Sequence, residues 1–319
     1  MPDVILTGLA DESSASKRVE EQLAVTRALG LRYYSPRFLD LGSGVKNAMA
    51  LTDDEVDRLV KLHEEFEVQV SSLASPIGKV KLLDVDDGTQ NAFIPFEQYL
   101  AGDVAHAISL AQRLGARLIR GFSFYPPRND DPWIHVRRAA EKLRAIADAC
   151  AAADLYFGLE VEGGLVGRDG ELERALWDTV AHDHLGLVFD GGNLTHQGKS
   201  GDAMMAQWKV MKPGLLWMHV KDYRRANGEA SAVPADLGDA NHRGVFADLK
   251  ASLPAISKRL AACGLPGLFV DLEPHLKGGG QFGGFSGPDG YGVALRGLLR
   301  VLDETGVTYE LLGFGDWRA

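Results

Sequence analysis

The sequence has very little cysteine: Cys150 and Cys263 are the two cysteines among 319 residues, and no CxxC pair occurs. A thiolate metal site and a disulfide scaffold are therefore excluded, because both need several closely spaced cysteines. A chain of this length can bury a large core without such cross-links. The N-terminus, Met1-Pro2-Asp3, leads straight into a strand-like run and does not resemble a signal peptide. We therefore expect a cytoplasmic protein.

Long basic runs and long apolar runs are also missing. The 34 Lys and Arg residues are outnumbered by 44 Asp and Glu residues, which gives a net charge of −10. Basic residues cluster only as pairs, such as Arg137-Arg138 and Arg224-Arg225. An acidic surface repels phosphate backbones, so we expect no nucleic-acid partner. No stretch of about 18 apolar residues occurs, so we expect no membrane partner either.

A dinucleotide-binding glycine motif is absent after the first predicted strand. Residues 7–12 read TGLADE and not GxGxxG, which argues against an open sheet that binds a dinucleotide. What the sequence does contain is a repeated alternation of short β-type runs with helical segments. Eight strands are predicted, at Val4–Leu9, Leu31–Tyr34, Val68–Leu73, Ala116–Phe122, Tyr156–Glu162, Leu185–Asp190, Leu215–Lys221 and Leu268–Glu273. Eight strand–helix units predict an α/β fold, a single (β/α)8 TIM barrel that spans residues 1–319 as one domain.

Several helix ends carry clear signals. Thr52 and Glu55 form a predicted capping box, and Gly30, Gly115 and Gly264 stand where helices are expected to end in a left-handed residue. Three long irregular stretches follow predicted strands, near 75–95, 223–241 and 274–291. In a barrel, loops that follow strands lie at the end where active sites form. The glycine-rich part of the third loop, residues 278–290, is equally compatible with a lid and with a simple loop.

Ionisable residues end four consecutive predicted strands: Glu160, Asp190, His219 and Glu273. Because parallel strands share one direction, their carboxyl ends meet at one rim of the barrel. Three carboxylates and an imidazole would repel or remain unpaired there without a cation. Oxygen-rich sites with one histidine favour Mn²⁺ or Mg²⁺, with Co²⁺ and Zn²⁺ possible. The pattern therefore predicts a divalent metal site, with Mn²⁺ as the preferred ion.

The chain resembles the sugar phosphate isomerase/epimerase superfamily, the xylose isomerase-like barrels that include ketose 3-epimerases, hydroxypyruvate isomerase and inosose dehydratase. The resemblance covers most of the chain and is carried by Leu159-Glu160, Asp190-Gly191-Gly192-Asn193, His219-Val220-Lys221-Asp222 and Leu272-Glu273. Residues Leu9-Ala10-Asp11-Glu12, Lys46-Asn47 and the run from Ser71 to Lys79 resemble a common bacterial branch.

The resemblance implies a role for each matching residue. Glu160, Asp190, His219 and Glu273 match the metal ligands of the family. Asn193 stands where the epimerases usually place a substrate-contacting histidine, and Arg225 matches their substrate-binding arginine, so a sugar or keto-sugar substrate is implied. Many relatives end the second strand with Glu-Leu-Arg, whereas this chain has Ser35-Pro36-Arg37, and its glycine-rich insert after Glu273 is longer.

The chemistry that fits this set is proton transfer next to a carbonyl. Glu160 and Glu273 form the expected acid/base pair, which would epimerise or isomerise a sugar through a metal-stabilised enediolate. The same intermediate can expel a leaving group, so a lyase or dehydratase acting on a keto-sugar, keto-glycoside or inosose is the alternative. A metal-dependent nuclease and a non-catalytic sugar-binding barrel fit less well. The oligomeric state stays open, with a homo-oligomer possible.

Three further residues are candidates for substrate binding, each with a plainer alternative. Lys221 would stabilise the enolate or protonate a leaving oxygen, or else form a salt bridge with Asp271. His275 would act as an acid or lie in solvent. Glu162 would bind substrate or have no role at the site.

Overall fold

Strands and helices alternate along the chain because short β-branched and aromatic runs are separated by amphipathic segments with helical spacing. The computed structural model describes residues 2–280 and 283–316. Strands are β1 (Val4–Gly8), β2 (Tyr33–Tyr34), β3 (Phe38–Asp40), β4 (Val45–Asn47), β5 (Gln69–Val70), β6 (Leu73–Ala74), β7 (Leu118–Gly121), β8 (Tyr156–Glu160), β9 (Leu185–Asp190), β10 (Leu215–Val220), β11 (Asp222–Ala226), β12 (Glu229–Val233), β13 (Leu268–Leu272), β14 (Gly279–Gly280) and β15 (Gly283–Gly284). Helices are α1 (Val19–Ala28), α2 (Asp53–Phe66), α3 (Phe96–Tyr99), α4 (Ala105–Arg113), α5 (Val136–Ala152), α6 (Gly170–Val180), α7 (Gly191–His196), α8 (Gly201–Met211), α9 (His242–Ala262) and α10 (Gly287–Thr305). A short π-helix, Leu100–Val104, joins α3 to α4. Short 3-10 helices lie at Ala10–Ser13, Ala48–Ala50, Pro132–His135, Lys212–Gly214 and Phe314–Asp316.

The central sheet confirms the predicted α/β barrel architecture. Seven strands pair in the order β1-β13-β10-β9-β8-β7-β6, and every pair is parallel. Strands β2 and β5 form a separate parallel pair. The backbone N–H of Ser35 donates to the carbonyl of Gly8 at 2.9 Å and thereby joins β2 to β1. All eight predicted strand positions therefore carry strand structure.

The second and third predicted strands are shorter than expected. The third is divided into β5 and β6 by Ser71 and Ser72, whose hydroxyls bond to the Ser35 hydroxyl at 3.0 and 2.8 Å. These buried side chains satisfy one another inside the barrel, where most TIM barrels carry branched apolar residues.

The core lies inside the barrel and between the barrel and its helices. Trp217 is fully buried in the interior, and a Cβ at Gly158 would lie 2.3 Å from its ring. Glycine at position 158 therefore makes room for the indole directly below the end of β8. No helix in the described part of the chain is long and apolar enough to cross a membrane.

The predicted helix ends are confirmed. Thr52 and Glu55 form the complete capping box of α2, and the backbone at Gly30, Gly115 and Gly264 has φ of +76°, +70° and +67°. The loop 223–241 is more regular than predicted, because β11 and β12 pair as an antiparallel hairpin. In the third loop, β14 and β15 pair antiparallel, and residues 281 and 282 lie outside the described residues.

Candidate metal centre

Four strands bring the four predicted metal ligands to one end of the barrel. Glu160 and Asp190 are the last residues of β8 and β9, His219 is the last but one of β10, and Glu273 directly follows β13. His219 is in register with Asp190 on the neighbouring strand. All four side chains are buried, with residue exposures of 3 % or less. We call these four residues the carboxylate–histidine cluster.

The geometry of the cluster suits a divalent cation. One ligand atom from each of the four residues lies within 4.8 Å of the others. His219 Nδ1 lies 3.4 Å from Glu160 Oε1 and 3.3 Å from Glu273 Oε2, yet it is buried without a hydrogen-bond partner among the described residues. A buried donor or acceptor without a partner is costly, so the set is better satisfied with a cation between these atoms. Three carboxylates and one imidazole fit Mn²⁺, Mg²⁺ or a similar ion.

The second oxygen of each glutamate is held by an arginine. Arg120 Nη1 donates to Glu160 Oε2 at 3.0 Å, and Arg37 Nη1 donates to Glu273 Oε1 at 2.5 Å. The oxygens that face His219 are the other two, and Glu160 Oε1 also accepts from Asn193 Nδ2 at 3.1 Å. The orientation of both carboxylates is thus fixed: one oxygen of each glutamate faces His219, and the other accepts from an arginine guanidinium.

The electrostatics keep the two glutamates ionised. Burial alone would raise the pKa of Glu160, but the charges of His219 and Arg120 outweigh it and lower the pKa below its usual range. For Glu273, burial is outweighed by Lys221, His219 and other cations, and its pKa is also lowered. Burial would lower the pKa of His219, but the Glu160 carboxylate and neighbouring acids raise it to about 10. Burial raises the pKa of Asp190 to about 6 against the opposing charge of Lys221.

Lys221 forms different ion pairs from the one considered on the sequence. Its Nζ lies 2.8 Å from Asp190 Oδ2 and 2.7 Å from Glu273 Oε2. The salt bridge with Asp271 is therefore wrong, and the Asp271 carboxylate instead accepts a hydrogen bond from the Ser35 hydroxyl. Gly192 makes this placement possible, because a Cβ there would lie 2.2 Å from Lys221 Cγ.

Two members of the cluster, Glu160 and Glu273, line a cavity of about 390 Å³. It is lined by Arg37, Phe38, Asn47, Ala74, Pro76, Lys79, Arg120, Phe122, Glu160, Glu162, Asn193, Lys221, Glu273, His275 and Gly284. Two larger cavities, of about 780 and 670 Å³, lie at the opposite end of the barrel, where strands begin, and contain none of the cluster residues. The smaller cavity is the candidate substrate site, because active sites of this fold form where strands end.

The other predicted site residues divide into those that line this cavity and one that does not. Asn193, Glu162, Lys221 and His275 line it. His275 is partly buried, and its ring nitrogens lie 3.1 Å from Glu12 Oε1 and 3.0 Å from the Tyr223 hydroxyl. Arg225 donates instead to the backbone carbonyls of Thr195 and His196, and it is absent from the cavity lining.

Sequence reasoning missed two polar residues that shape the site. Arg120, in β7, contacts Glu160 directly, and Glu12 accepts the backbone N–H of His275 at 2.7 Å. Arg120 could have been found by the strand-end rule, since it lies near the end of a predicted strand. Glu12 follows β1 in the same way. Neither residue belongs to the four later strands whose ends form the carboxylate–histidine cluster.

Comparison with known proteins agrees with this architecture. The family model of the xylose isomerase-like TIM barrel matches residues 23–292 of the chain. No curated protein matches this sequence. Among solved structures, a xylose isomerase-like TIM barrel protein from Mycobacterium smegmatis in complex with magnesium superposes with a TM-score of 0.65 at 19 % identity, over 95 % of this chain and 96 % of that one.

Two further structures carry names that describe activities. D-psicose 3-epimerase from Clostridium cellulolyticum H10, crystallised with D-tagatose, has a TM-score of 0.60 at 14 % identity, over 95 % of this chain and 98 % of that one. The probable 3-DHS dehydratase of petrobactin synthesis from Bacillus anthracis has a TM-score of 0.62 at 15 % identity, over 93 % of this chain and 98 % of that one. At these identities the likeness shows the fold alone.

Proposed function

The chain belongs to the xylose isomerase-like TIM barrel family, and we propose that it is a divalent-metal-dependent isomerase or epimerase of a sugar or keto-sugar. The observation that carries the proposal is the carboxylate–histidine cluster, whose ligand atoms lie within 4.8 Å of one another and whose two glutamates line a cavity. Structural relatives include an epimerase that acts on ketoses and a barrel that binds magnesium. These likenesses support the proposal at the level of the fold.

In this proposal Glu160, Asp190, His219 and Glu273 hold the metal ion. Mn²⁺ is the proposed ion, because the set is rich in oxygen and contains a single imidazole, and Mg²⁺, Co²⁺ and Zn²⁺ are the alternatives. A bound divalent cation would polarise a substrate carbonyl and stabilise the negative charge that develops when the neighbouring C–H loses its proton.

Glu160 and Glu273 then act as the acid/base pair. Their carboxylates approach His219 Nδ1 from two different strands, β8 and β13, so they can reach a substrate from two sides. Lowered pKa values keep both groups ionised at neutral pH, which a proton acceptor requires. One glutamate removes the proton from carbon and later releases it to solvent. The other takes up a proton from solvent and delivers it to carbon, to the opposite face for epimerisation or to the adjacent carbon for isomerisation.

Proton exchange with solvent tests this assignment. We would screen keto-sugars with Mn²⁺ in D₂O and follow deuterium incorporation next to the carbonyl by proton NMR and mass spectrometry. Glu160→Gln and Glu273→Gln should each slow exchange by at least about a hundredfold, in line with the usual contribution of a general base. Glu141→Gln, on the exposed face of α5, is the matched control. Mn²⁺ binding is measured in every variant, so that loss of the metal is separated from loss of the base. Wild-type exchange in both site variants that retain Mn²⁺ would contradict the proposal.

A lyase or dehydratase is the second candidate, and one feature of the site favours it. His275 faces Glu273 Oε1 at 3.4 Å, and carboxylates of Glu12 and Glu273 outweigh its burial and raise its pKa to about 9. A protonated imidazole beside the cavity is a suitable donor to a leaving oxygen. A product lighter than the substrate by one water or one leaving group would identify this reaction, whereas an isomerase gives a product of equal mass.

Several finer assignments stay predictions. Asn193, Glu162, Lys221, His275 and Arg225 are proposed substrate contacts. A cytoplasmic location, a small-molecule partner without nucleic acid or membrane, and a possible homo-oligomer are likewise expected from the sequence. The organisation of residues 1–319 as one domain also remains a proposal.

A further inference from the structure

One side of the candidate substrate cavity is formed by the loop that follows β13. The structure describes residues 274–280 and 283–291 of this loop, which we call the glycine-rich loop. Two of its residues, His275 and Gly284, line the cavity, and His275 Nε2 lies 3.4 Å from Glu273 Oε1 in the carboxylate–histidine cluster. The position of this loop relative to the barrel therefore decides how open the cavity and the cluster are to solvent.

We propose that Glu12 is a positioning residue that, together with Lys17, holds the glycine-rich loop against the barrel and thereby limits the exchange of metal ion and substrate at the cluster. We call Glu12 and Lys17 the clasp. Neither residue is a proposed metal ligand. The inference rests on the proposed function in one respect, since it takes the carboxylate–histidine cluster to be the metal site that the loop encloses.

Glu12 joins the two ends of the loop to the turn that follows β1. Its side chain is fully buried, and Oε2 accepts the backbone N–H of His275 at 2.7 Å and the Ser286 hydroxyl at 3.1 Å. Its backbone carbonyl accepts the N–H of Ser286 at 2.9 Å. Loss of the carboxylate would leave a backbone N–H and a hydroxyl unpaired inside the protein, which is costly. One buried side chain therefore holds both ends of the glycine-rich loop.

Lys17 holds the arm of the loop that leads into α10. Its Nζ donates to the backbone carbonyls of Asp11 at 2.7 Å and of Gly284 at 3.3 Å, and it lies 5.5 Å from the centre of the Phe285 ring. The side chain is buried, and none of these contacts involves the carboxylate–histidine cluster. Lys17 has φ of +58°, a left-handed conformation that is unfavourable for lysine and persists only where surrounding contacts enforce it. Lys17 therefore fixes the loop without touching the proposed metal ligands.

The loop packs so closely on the clasp that position 284 has no space for a side chain. A Cβ at Gly284 would lie 1.8 Å from His275 Cδ2 and 2.4 Å from Glu12 Oε1. The arm that contains Gly284 therefore passes directly over the His275 imidazole and the Glu12 carboxylate. This close fit ties the lining of the cavity to the position of Glu12.

The composition of the loop makes the contacts of the clasp decisive. The described part of the loop contains seven glycines: Gly278, Gly279, Gly280, Gly283, Gly284, Gly287 and Gly290. Glycine loses more conformational freedom on ordering than any other residue, so fixing this loop costs more free energy than fixing an ordinary loop of equal length. Its ordered position therefore depends on the contacts that Glu12 and Lys17 supply.

The rate at which bound Mn²⁺ leaves the protein tests the proposal. The full-length protein loaded with Mn²⁺ is mixed by stopped flow with excess fura-2, whose fluorescence falls as it captures the released metal. Lys17→Met and Ser286→Ala should each release Mn²⁺ about tenfold faster than the wild type, as the loss of one or two hydrogen bonds implies. The Kd for Mn²⁺ should change less than about threefold, because a loosened loop accelerates entry and release together. Lys61→Met on α2 and Ser257→Ala on α9, both at exposed positions, are the matched controls.

Substitutions of Glu12 separate its positioning role from its charge. Glu12→Ala removes the acceptor and should also accelerate the release of Mn²⁺. Glu12→Gln keeps an oxygen that can accept from His275 and Ser286, so its release rate should stay within about threefold of that of the wild type. A residue that served only to stabilise the fold would change Tm and leave the release rate at constant Kd unchanged. If Glu12→Ala does not fold, Lys17→Met and Ser286→Ala still decide the question.

Hydrogen exchange of the same variants gives a readout that needs no bound metal. Amides of the glycine-rich loop should exchange faster in Lys17→Met and Ser286→Ala than in the wild type, whereas amides of β8, β9 and β10 should exchange at wild-type rates. The proposal is overturned by unchanged exchange of the loop, by wild-type rates of Mn²⁺ release, by release that accelerates only in proportion to a rise in Kd, or by a failure of Glu12→Gln to restore the rate. If the wild-type protein binds no divalent ion, the proposed function fails, and hydrogen exchange alone decides whether the clasp holds the loop.

Discussion

At the scale of single residues, the site is defined by how its buried charges are paired. Lys221 contacts Asp190 and Glu273, two of the four proposed ligands, and each glutamate of the cluster also contacts an arginine. Uncompensated charge in a protein interior costs several kcal/mol, so these cations are needed whenever no metal ion is bound. A metal ion has to compete with the Lys221 ammonium for the same carboxylates, which makes Lys221 a determinant of metal affinity as well as a candidate substrate contact.

Glu173 is a buried acid that the proposed mechanism does not use. It is fully buried in the first turns of α6, and neither carboxylate oxygen has a hydrogen-bond partner among the described residues. Burial and the nearby charge of Glu160 raise its pKa well above 4.5. The folded state therefore keeps a proton that the unfolded state loses above pH 4.5, so this residue lowers stability progressively as the pH rises.

We expect Glu173→Gln to stabilise the protein, by about 1 kcal/mol or more at pH 8, because the neutral amide avoids burying a charge. The gain should shrink toward zero near pH 4.5. Urea unfolding at several pH values measures the difference in free energy of unfolding between this variant and the wild type. Glu65→Gln, on the exposed face of α2, is the matched control and should leave the pH profile of the wild type unchanged. A stability difference for Glu173→Gln that is constant from pH 5 to pH 8 would contradict this account.

The residues of the carboxylate–histidine cluster could be predicted from the sequence because they follow a general rule of parallel strands. Parallel strands bring their carboxyl ends together, so four ionisable strand ends predicted one cluster. The partners of Lys221 were not predictable, because Asp190, Asp271 and Glu273 all belong to or follow the strands that flank β10, and only the three-dimensional structure distinguishes them. Arg225 matched by spacing alone, and in the structure its guanidinium bonds to the end of α7.

At the scale of secondary structure, the ends of elements with local chemistry were predicted best. The capping box of α2 is an example: the Thr52 hydroxyl accepts the Glu55 N–H, and the Glu55 carboxylate accepts the Thr52 N–H at 2.8 Å. The four residues involved are adjacent, so no distant part of the chain is needed to define them. The break between β5 and β6 was not predicted; the two serines at the break bond to Ser35, which follows β2 and is distant in sequence.

Removal of the capping hydroxyl gives a direct test at this scale. Thr52→Ala should lower the free energy of unfolding by about 1 kcal/mol, since the α2 amides lose a hydrogen-bond acceptor. Thr52→Ser retains the hydroxyl, so it should lower the free energy of unfolding by no more than a few tenths of the loss expected for Thr52→Ala. Urea unfolding of both variants measures the difference. Equal stability of the two variants would show that the cap contributes nothing to the folded protein.

At the scale of the whole molecule, the barrel fixes the site by closing on itself. The strand order β1-β13-β10-β9-β8-β7-β6 sets β8, β9, β10 and β13 side by side, which is why the cluster has four members from four consecutive strands. The remaining strand positions supply Arg37, Lys79 and Arg120 to the cavity lining. The sequence predicted the number of strands and their parallel direction. It did not predict which charged side chains line the cavity, because that depends on the three-dimensional structure.

Metal binding should stabilise the whole molecule in a way that depends on pH. Without metal, the raised pKa of His219 means that its protonated form stabilises the fold below pH 6.5, and this contribution is lost as the pH rises through about 10. A metal ligand must be deprotonated, so binding displaces that proton. We therefore expect the affinity for Mn²⁺ to rise by up to about tenfold per pH unit between pH 6.5 and 8.5.

The measurement compares thermal unfolding of the EDTA-treated protein with that of the protein in Mn²⁺, at fixed metal concentration across this pH range. Bound metal at about a hundredfold excess over Kd stabilises a protein by roughly 2.7 kcal/mol, so the rise in Tm should be readily detected and should grow with pH. Asp190→Asn removes one ligand charge from the cluster and should abolish most of the difference, whereas Glu141→Gln on the exposed face of α5 should retain it. If Mn²⁺, Mg²⁺, Co²⁺ and Zn²⁺ all leave Tm unchanged at every pH, the four strand ends do not form a metal site. Their pairing with Arg37, Arg120 and Lys221 would then be the complete account of how these charges are tolerated inside the barrel.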